Sequence, residues 1–287
     1  MEKCYAIAPL FYREKKHLLV ASERSGGCVL FDSEGRQETI LWREPGGTMS
    51  MMQVPGTDGW FLAVQKFYSP DDAEESELVL AIPGEDGVWE RRTFLKLPFL
   101  HRFDILFRNG TYYLIACTIK SGCSHEGDWS KPGKVYGGVL PKDLREWRDG
   151  CIELTVLAEK MTQNHGYSKI VTDGVEKALV SAGEGVFLFT PPRSQGKAWE
   201  WEQILDIPAS DAVLVDLDGD GEPELGVIHP FHGDKVSIFK KEKGRYAECY
   251  TCEEKMEFSH AIFGGTLWGQ PSMLIGSRMG KQVLAVF

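Results

Sequence analysis

The sequence predicts an all-β protein: a six-bladed β-propeller of four-stranded antiparallel blades, with a five-bladed ring as second choice. Three observations predict it. Short apolar strands of similar type recur at 28–31, 78–81, 186–189, 236–239 and 283–286. Another apolar strand and a polar or Gly-rich turn precede each of them, the preceding strands lying at 17–21, 60–64, 178–181, 224–228 and 273–276, with a sixth at 112–117. Long helical periodicity is absent, which argues against α/β folds.

Each unit reads as a meander of strands A, B, C and D. The fourth strand is more polar, as at 39–42, 89–94 and 199–205. Counting back from the middle of each B strand puts the unit starts at Tyr5, Thr48, His101, His165, Asp211 and His260, separated by 43, 53, 64, 46 and 49 residues. Four-stranded repeats of about 40–50 residues are the sequence signature of propeller blades. The whole of 1–287 is therefore expected to be one propeller domain. Its sixth unit stops after strand C, leaving blade 6 three-stranded or loosely closed by residues 1–4.

A chain of 287 residues with 43% hydrophobic and 26% charged residues is ordinary for a globular protein. Its net charge of −10 and the lack of a Lys/Arg run argue against nucleic acid or an anionic membrane as partner. The first residues hold too short an apolar stretch for a signal peptide. No run reaches the roughly 18 apolar residues of a membrane helix. Seven scattered cysteines fit a reducing cytoplasm better than a disulfide framework. Cys249 and Cys252 form a CxxC pair, but on a strand these positions face opposite ways, which disfavours a shared metal.

Between strands A and B of the fifth unit, Asp216, Asp218, Asp220, Glu222 and Glu224 fall at every second position, with Gly219 and Gly221 between the central ones. Carboxylates so spaced let a tight loop wrap a hard cation, Ca²⁺ or Mg²⁺, in oxygen ligands. The flanks are strands, not the helices of an EF-hand. The loop resembles the cation loops of FG-GAP/VCBS-type propeller repeats; the fourth unit keeps only Thr172-Asp173-Gly174. A longer stretch carries a second resemblance: Asn164-His165-Gly166, Gly183-Glu184-Gly185, Pro191-Pro192, Ser210-Asp211-Ala212 and Pro230-Phe231-His232-Gly233-Asp234. Over roughly 160–240 it is similar to the propeller domain of aldos-2-ulose dehydratases. That resemblance implies dehydration and isomerisation of keto-sugars such as 1,5-anhydrofructose. The cupin domain that accompanies the fungal propellers is not among these residues, which weakens the implied isomerase step.

In a meander the start of strand A and the end of strand B share one face, and strand A lines the axis. Three of the seven histidines, His101, His165 and His260, fall at A-starts, and Asp211 falls at a fourth. Three imidazoles with a carboxylate or water suit Zn²⁺, Mn²⁺ or Fe²⁺. The alternative is a ring of hydrogen-bonded histidines around a water-filled channel. Lys66, Tyr167, Glu184 and His229 are candidates for proton transfer. Lys120 and Arg278 are candidates for binding an anionic or polyhydroxyl substrate, and Trp129 for stacking on a sugar face. Two long B–C loops, 67–77 and 120–134, belong to the same face. The expected function is a metal-assisted lyase or isomerase, dehydratase-like, acting on a small carbohydrate. The main alternative is a non-catalytic propeller that binds a ligand or protein and keeps a structural calcium loop. A sugar-lactone hydrolase is a weaker third reading, because the calcium of such propellers is held by Glu, Asn and Asp rather than histidine.

Overall fold

A computed structural model describes residues 3–287. The described residues form strands almost throughout, with one short 3₁₀ turn at Leu144–Glu146. They build five four-stranded sheets and one three-stranded sheet, each a sequential antiparallel meander. This is the architecture of a six-bladed β-propeller. The chain divides into two compact units, Met1–Lys160 and Met161–Phe287, of three blades each.

The first unit holds blade 1 with β1 (Cys4–Tyr12), β2 (Lys15–Ser22), β3 (Cys28–Asp32) and β4 (Gln37–Trp42). Blade 2 has β5 (Met51–Gln53), β6 (Phe61–Gln65), β7 (Glu77–Pro83) and β8 (Trp89–Lys96). Blade 3 has β9 (Leu100–Arg108), β10 (Thr111–Lys120), β11 (Pro132–Val139) and β12 (Thr155–Met161). Strict alternation along β1 sends Ala6, Ala8, Leu10 and Tyr12 into a core shared with Met51, Phe61, Ala63 and Trp89 of blade 2. The central strand β6 is buried at every position. It reads as a continuous apolar run because both its faces are covered. Each large aliphatic or aromatic side chain buried this way contributes about 1.5–3 kcal/mol.

The second unit holds blade 4 with β13 (Gly166–Thr172), β14 (Val175–Ala182), β15 (Gly185–Thr190) and β16 (Glu200–Leu205). Blade 5 has β17 (Asp211–Val215), β18 (Glu224–His229), β19 (Lys235–Glu242) and β20 (Arg245–Thr251). Blade 6 has β21 (Ser259–Leu267), β22 (Gln270–Ser277) and β23 (Leu284–Val286). Blade 6 is three-stranded among the described residues. Cys4 does not extend it, because it pairs with Ser22 in blade 1; residues 1 and 2 of the expected closing segment lie outside the described residues. The remnant Thr172-Asp173-Gly174 is a two-residue hairpin, with Asp173 and Gly174 both at positive φ. That left-handed pair matches the twist of the flanking strands, and the turn is too tight to wrap an ion.

Candidate metal centre

In the second unit, ligand atoms of His165, His232 and His260 all lie within 4.8 Å of one another. Three different blades supply them. His165 directly precedes β13, and its N–H donates to the carbonyl of Ser181 at 3.1 Å. His260 follows Ser259 at the start of β21, and the N–H of Ser259 donates to the carbonyl of Gly233 at 2.8 Å. His232 sits in the tight turn between β18 and β19. Its N–H donates to Ser210 Oγ at 3.1 Å, and Gly233 N–H closes the turn on the carbonyl of Pro230 at 2.8 Å. A Cβ at Gly233 would stand 2.5 Å from the carbonyl oxygen of His229. Only glycine permits the backbone to fold so closely and turn His232 toward His165.

The hydrogen bonds fix the chemistry of these rings. His165 is buried, and its Nδ1 lies 3.1 Å from the carbonyl oxygen of Ser210. A carbonyl can only accept, so Nδ1 carries a proton, and whenever the ring is neutral its lone pair lies on Nε2. A backbone carbonyl on the far nitrogen is the usual outer support of a metal-bound histidine. His232 Nε2 is 3.4 Å from His165 Nε2. Two nitrogens bound to one tetrahedral ion at about 2.0–2.1 Å stand about 3.3–3.4 Å apart. Burial, and then the charge of Arg278, push the His232 imidazolium down to a pKa of about 4. It therefore remains a neutral donor at ordinary pH.

Phe231 stacks on His232 with centroids 3.9 Å apart, and Phe258 covers it from 4.5 Å. These rings pack on the imidazole and make its surroundings apolar. His232 and His260 are each partly exposed, so the cluster opens to solvent on one side. Arg278 follows β22. Its Nη1 lies 3.5 Å from His260 Nε2, and its guanidinium carbon lies 5.9 Å from the centroid of Phe258. Positive charge thus stands at the edge of the cluster.

The other anticipated residues have definite places. Asp211 is buried at the head of β17, and its Oδ1 accepts from the N–H of Ala212 at 3.0 Å; it is outside the three-imidazole group. His101 belongs to the first unit. It is buried on β9 with Nε2 3.2 Å from Tyr5 Oη, and its ring packs on Phe67. His229 ends β18 and turns to its own blade, with Nε2 3.0 Å from Ser237 Oγ. Burial and the nearby Lys235 lower its pKa. Glu184 is exposed and accepts from the N–H of Thr162 at 2.8 Å. Tyr167 pairs with Val180 within blade 4, half-buried.

In the first unit, Lys66 ion-pairs with Glu77 at 2.5 Å. Lys120 is fully buried; its ammonium donates to Asp71 Oδ1 at 2.6 Å and to the carbonyl of Asp128 at 2.7 Å, and it lies 4.1 Å from the centre of the Trp129 ring. These bonds tie the blade 3 loop 121–131 to the blade 2 loop 66–76.

His232 is the one member of the cluster that the A-start and B-end pattern does not single out. The signal for it lay in the Pro230-to-Asp234 stretch, where proline and glycine bracket an aromatic and a histidine.

In blade 5, Asp216, Asp218 and Glu224 offer oxygens within 4.8 Å of one another. Asp216 accepts from the N–H groups of Gly219 and Gly221, and Asp220 accepts from that of Glu222. Lys240, from the neighbouring strand β19, reaches into the loop and pairs with Asp218, with Asp220 at 2.7 Å and with Glu224 at 3.6 Å.

No family model matches this chain, and no curated protein matches it in sequence. Solved structures do. The β-propeller domain of Cps50 (Swd1) from Myceliophteria thermophila is 13% identical with a TM-score of 0.56, over 99% of this chain and 83% of that one. Luciferin-regenerating enzyme is 10% identical with a TM-score of 0.55, over 98% and 88%. Regucalcin from Agrobacterium tumefaciens, described as a calcium-binding protein, is 13% identical with a TM-score of 0.55, over 97% and 83%. At these identities the likeness establishes the β-propeller fold.

Proposed function

We propose that this chain is a metal-assisted lyase or isomerase, dehydratase-like, acting on a small sugar or keto-sugar derivative at His165, His232 and His260. The observation that carries the reading is the approach of the Nε2 atoms of His165 and His232, at a spacing that suits two ligands of one ion. A bound divalent transition ion supplies Lewis acidity toward a carbonyl or hydroxyl oxygen. The chain's own groups do the rest. Ser210 holds His165 in the tautomer that offers Nε2. Phe231 and Phe258 present apolar ring faces to the cluster, and Arg278 brings a positive charge for an anionic or oxygen-rich substrate. The likeness of 160–240 to keto-sugar dehydratases points the same way. Neighbouring propellers include an enzyme and a calcium-binding protein, so the fold alone does not choose the chemistry.

A non-catalytic ligand- or protein-binding propeller is the second reading. One observation favours it: Trp268, at the tip of the β21–β22 hairpin, is 89% exposed, as contact aromatics often are. Turnover of 1,5-anhydrofructose and related keto-sugars, assayed with added Zn²⁺, Mn²⁺ or Fe²⁺, separates the two. The enzyme reading expects activity in the wild type and its loss in a folded His165→Ala protein. Equal activity in His165→Ala would remove it.

A further inference from the structure

The acidic loop of blade 5 resembles a calcium loop, yet its oxygens already have a cation. Lys240 lies on β19, one hairpin away, and its ammonium sits among carboxylates of Asp218, Asp220 and Glu224. Glu224 is buried at 4% exposure; Oε2 accepts from the N–H of Leu217 at 2.8 Å, and Oε1 has no hydrogen-bond partner. A buried carboxylate oxygen left that way needs a nearby positive charge, and Lys240 is the one facing it. Both oxygens of Asp216 accept from loop N–H groups, which fix the loop's shape. A calcium ion needs about six to eight oxygens at about 2.3–2.6 Å, and here it meets a set already shared with an ammonium.

We infer that Lys240 is the tethered cation of this loop, so that blade 5 folds around its own ammonium and calcium enters only by displacing it. The carboxylates in turn hold Lys240 charged well above the ordinary lysine range. Because the competitor is attached to the same blade, its local concentration is high and does not fall on dilution. The loop then stays ordered where free calcium is scarce. This inference is independent of the histidine cluster, since the groups and the ion class differ.

Thermal unfolding in chelator and in millimolar CaCl₂ tests it, on wild type and on Lys240→Met, which keeps the stem and removes the charge. The wild-type Tm should be the same in both buffers. Lys240→Met should unfold roughly 2–4 °C lower in chelator and regain that loss in calcium, as expected for a ligand that binds the folded state. A wild-type Tm that climbs in calcium as far as the variant's would overturn the inference. So would a variant that matches wild type in chelator. Should Lys240→Met not fold, equilibrium dialysis of the wild type against radiocalcium still decides. No stoichiometric binding at micromolar free calcium is expected, and a full equivalent bound there would contradict it.

Discussion

The tautomer of His165 is set by a single acceptor, the carbonyl of Ser210, and the rotation of His232 by a single glycine, Gly233. Two residue-scale predictions follow from these contacts. Gly233→Ala should cost at least tenfold in metal affinity, measured by competition with a chromogenic chelator, because a Cβ there displaces the turn that carries His232. The second concerns pH. The imidazole of His232 has a folded pKa of about 4, below the ordinary value of about 6.5. Between those values the unfolded chain binds a proton that the folded chain does not, so folding stability rises with pH. In metal-free protein that stability is present above about pH 6.5 and is lost as pH falls toward 4, by on the order of 3 kcal/mol. Denaturant titrations across this range should show the slope, and His232→Asn should flatten it. His165 and His260 were legible in the sequence because they recur at one station of a repeat. His232 was not, because a turn residue has no place in a strand periodicity.

At the scale of elements, the two long B–C loops of the first unit are held by one buried lysine. Lys120 is inaccessible, and its partner Asp71 lies on the other loop. Asp71→Ala leaves a buried ammonium short of its counter-ion and should destabilise the protein by roughly 2–3 kcal/mol, with Lys120→Met milder than that. Urea unfolding measures both, and a smaller loss in Asp71→Ala than in Lys120→Met would contradict the pairing. Most strands could be read from apolar runs, and the A strands begin close to the expected starts, Met51 rather than Thr48 being the widest departure. Strand β11 was missed. Its sequence, with Pro132, Gly133, Gly137 and Gly138, dilutes the alternation on which such a reading depends. The polar strand β16 was legible as the more polar fourth strand that closes its unit after β15.

The repeat spacing was sufficient at the scale of the whole molecule because every blade is a local meander, closed by neighbouring strands. Sequence separation and spatial adjacency then carry the same information. The 64-residue third interval needed more. Two insertions explain it: the loop that Lys120 anchors and the 140–154 connection with its 3₁₀ turn. The division into two compact units leaves no mark in composition or spacing and was not readable. A core truncation such as Phe61→Ala, in the apolar cluster of blades 1 and 2, should cost about 3–5 kcal/mol, seen as an earlier urea midpoint. It should leave metal content unchanged, since the histidine cluster belongs to the other unit.

Elemental analysis of the purified protein, wild type beside His232→Ala, is the most direct measurement of the metal centre. Expected is about one transition-metal ion per wild-type chain and loss of nearly all of it in the folded variant, since three imidazoles bind such an ion far better than two. Wild-type protein that takes up no transition metal even when it is supplied, or a variant that keeps a full equivalent, would contradict the assignment of His165, His232 and His260 as its ligands.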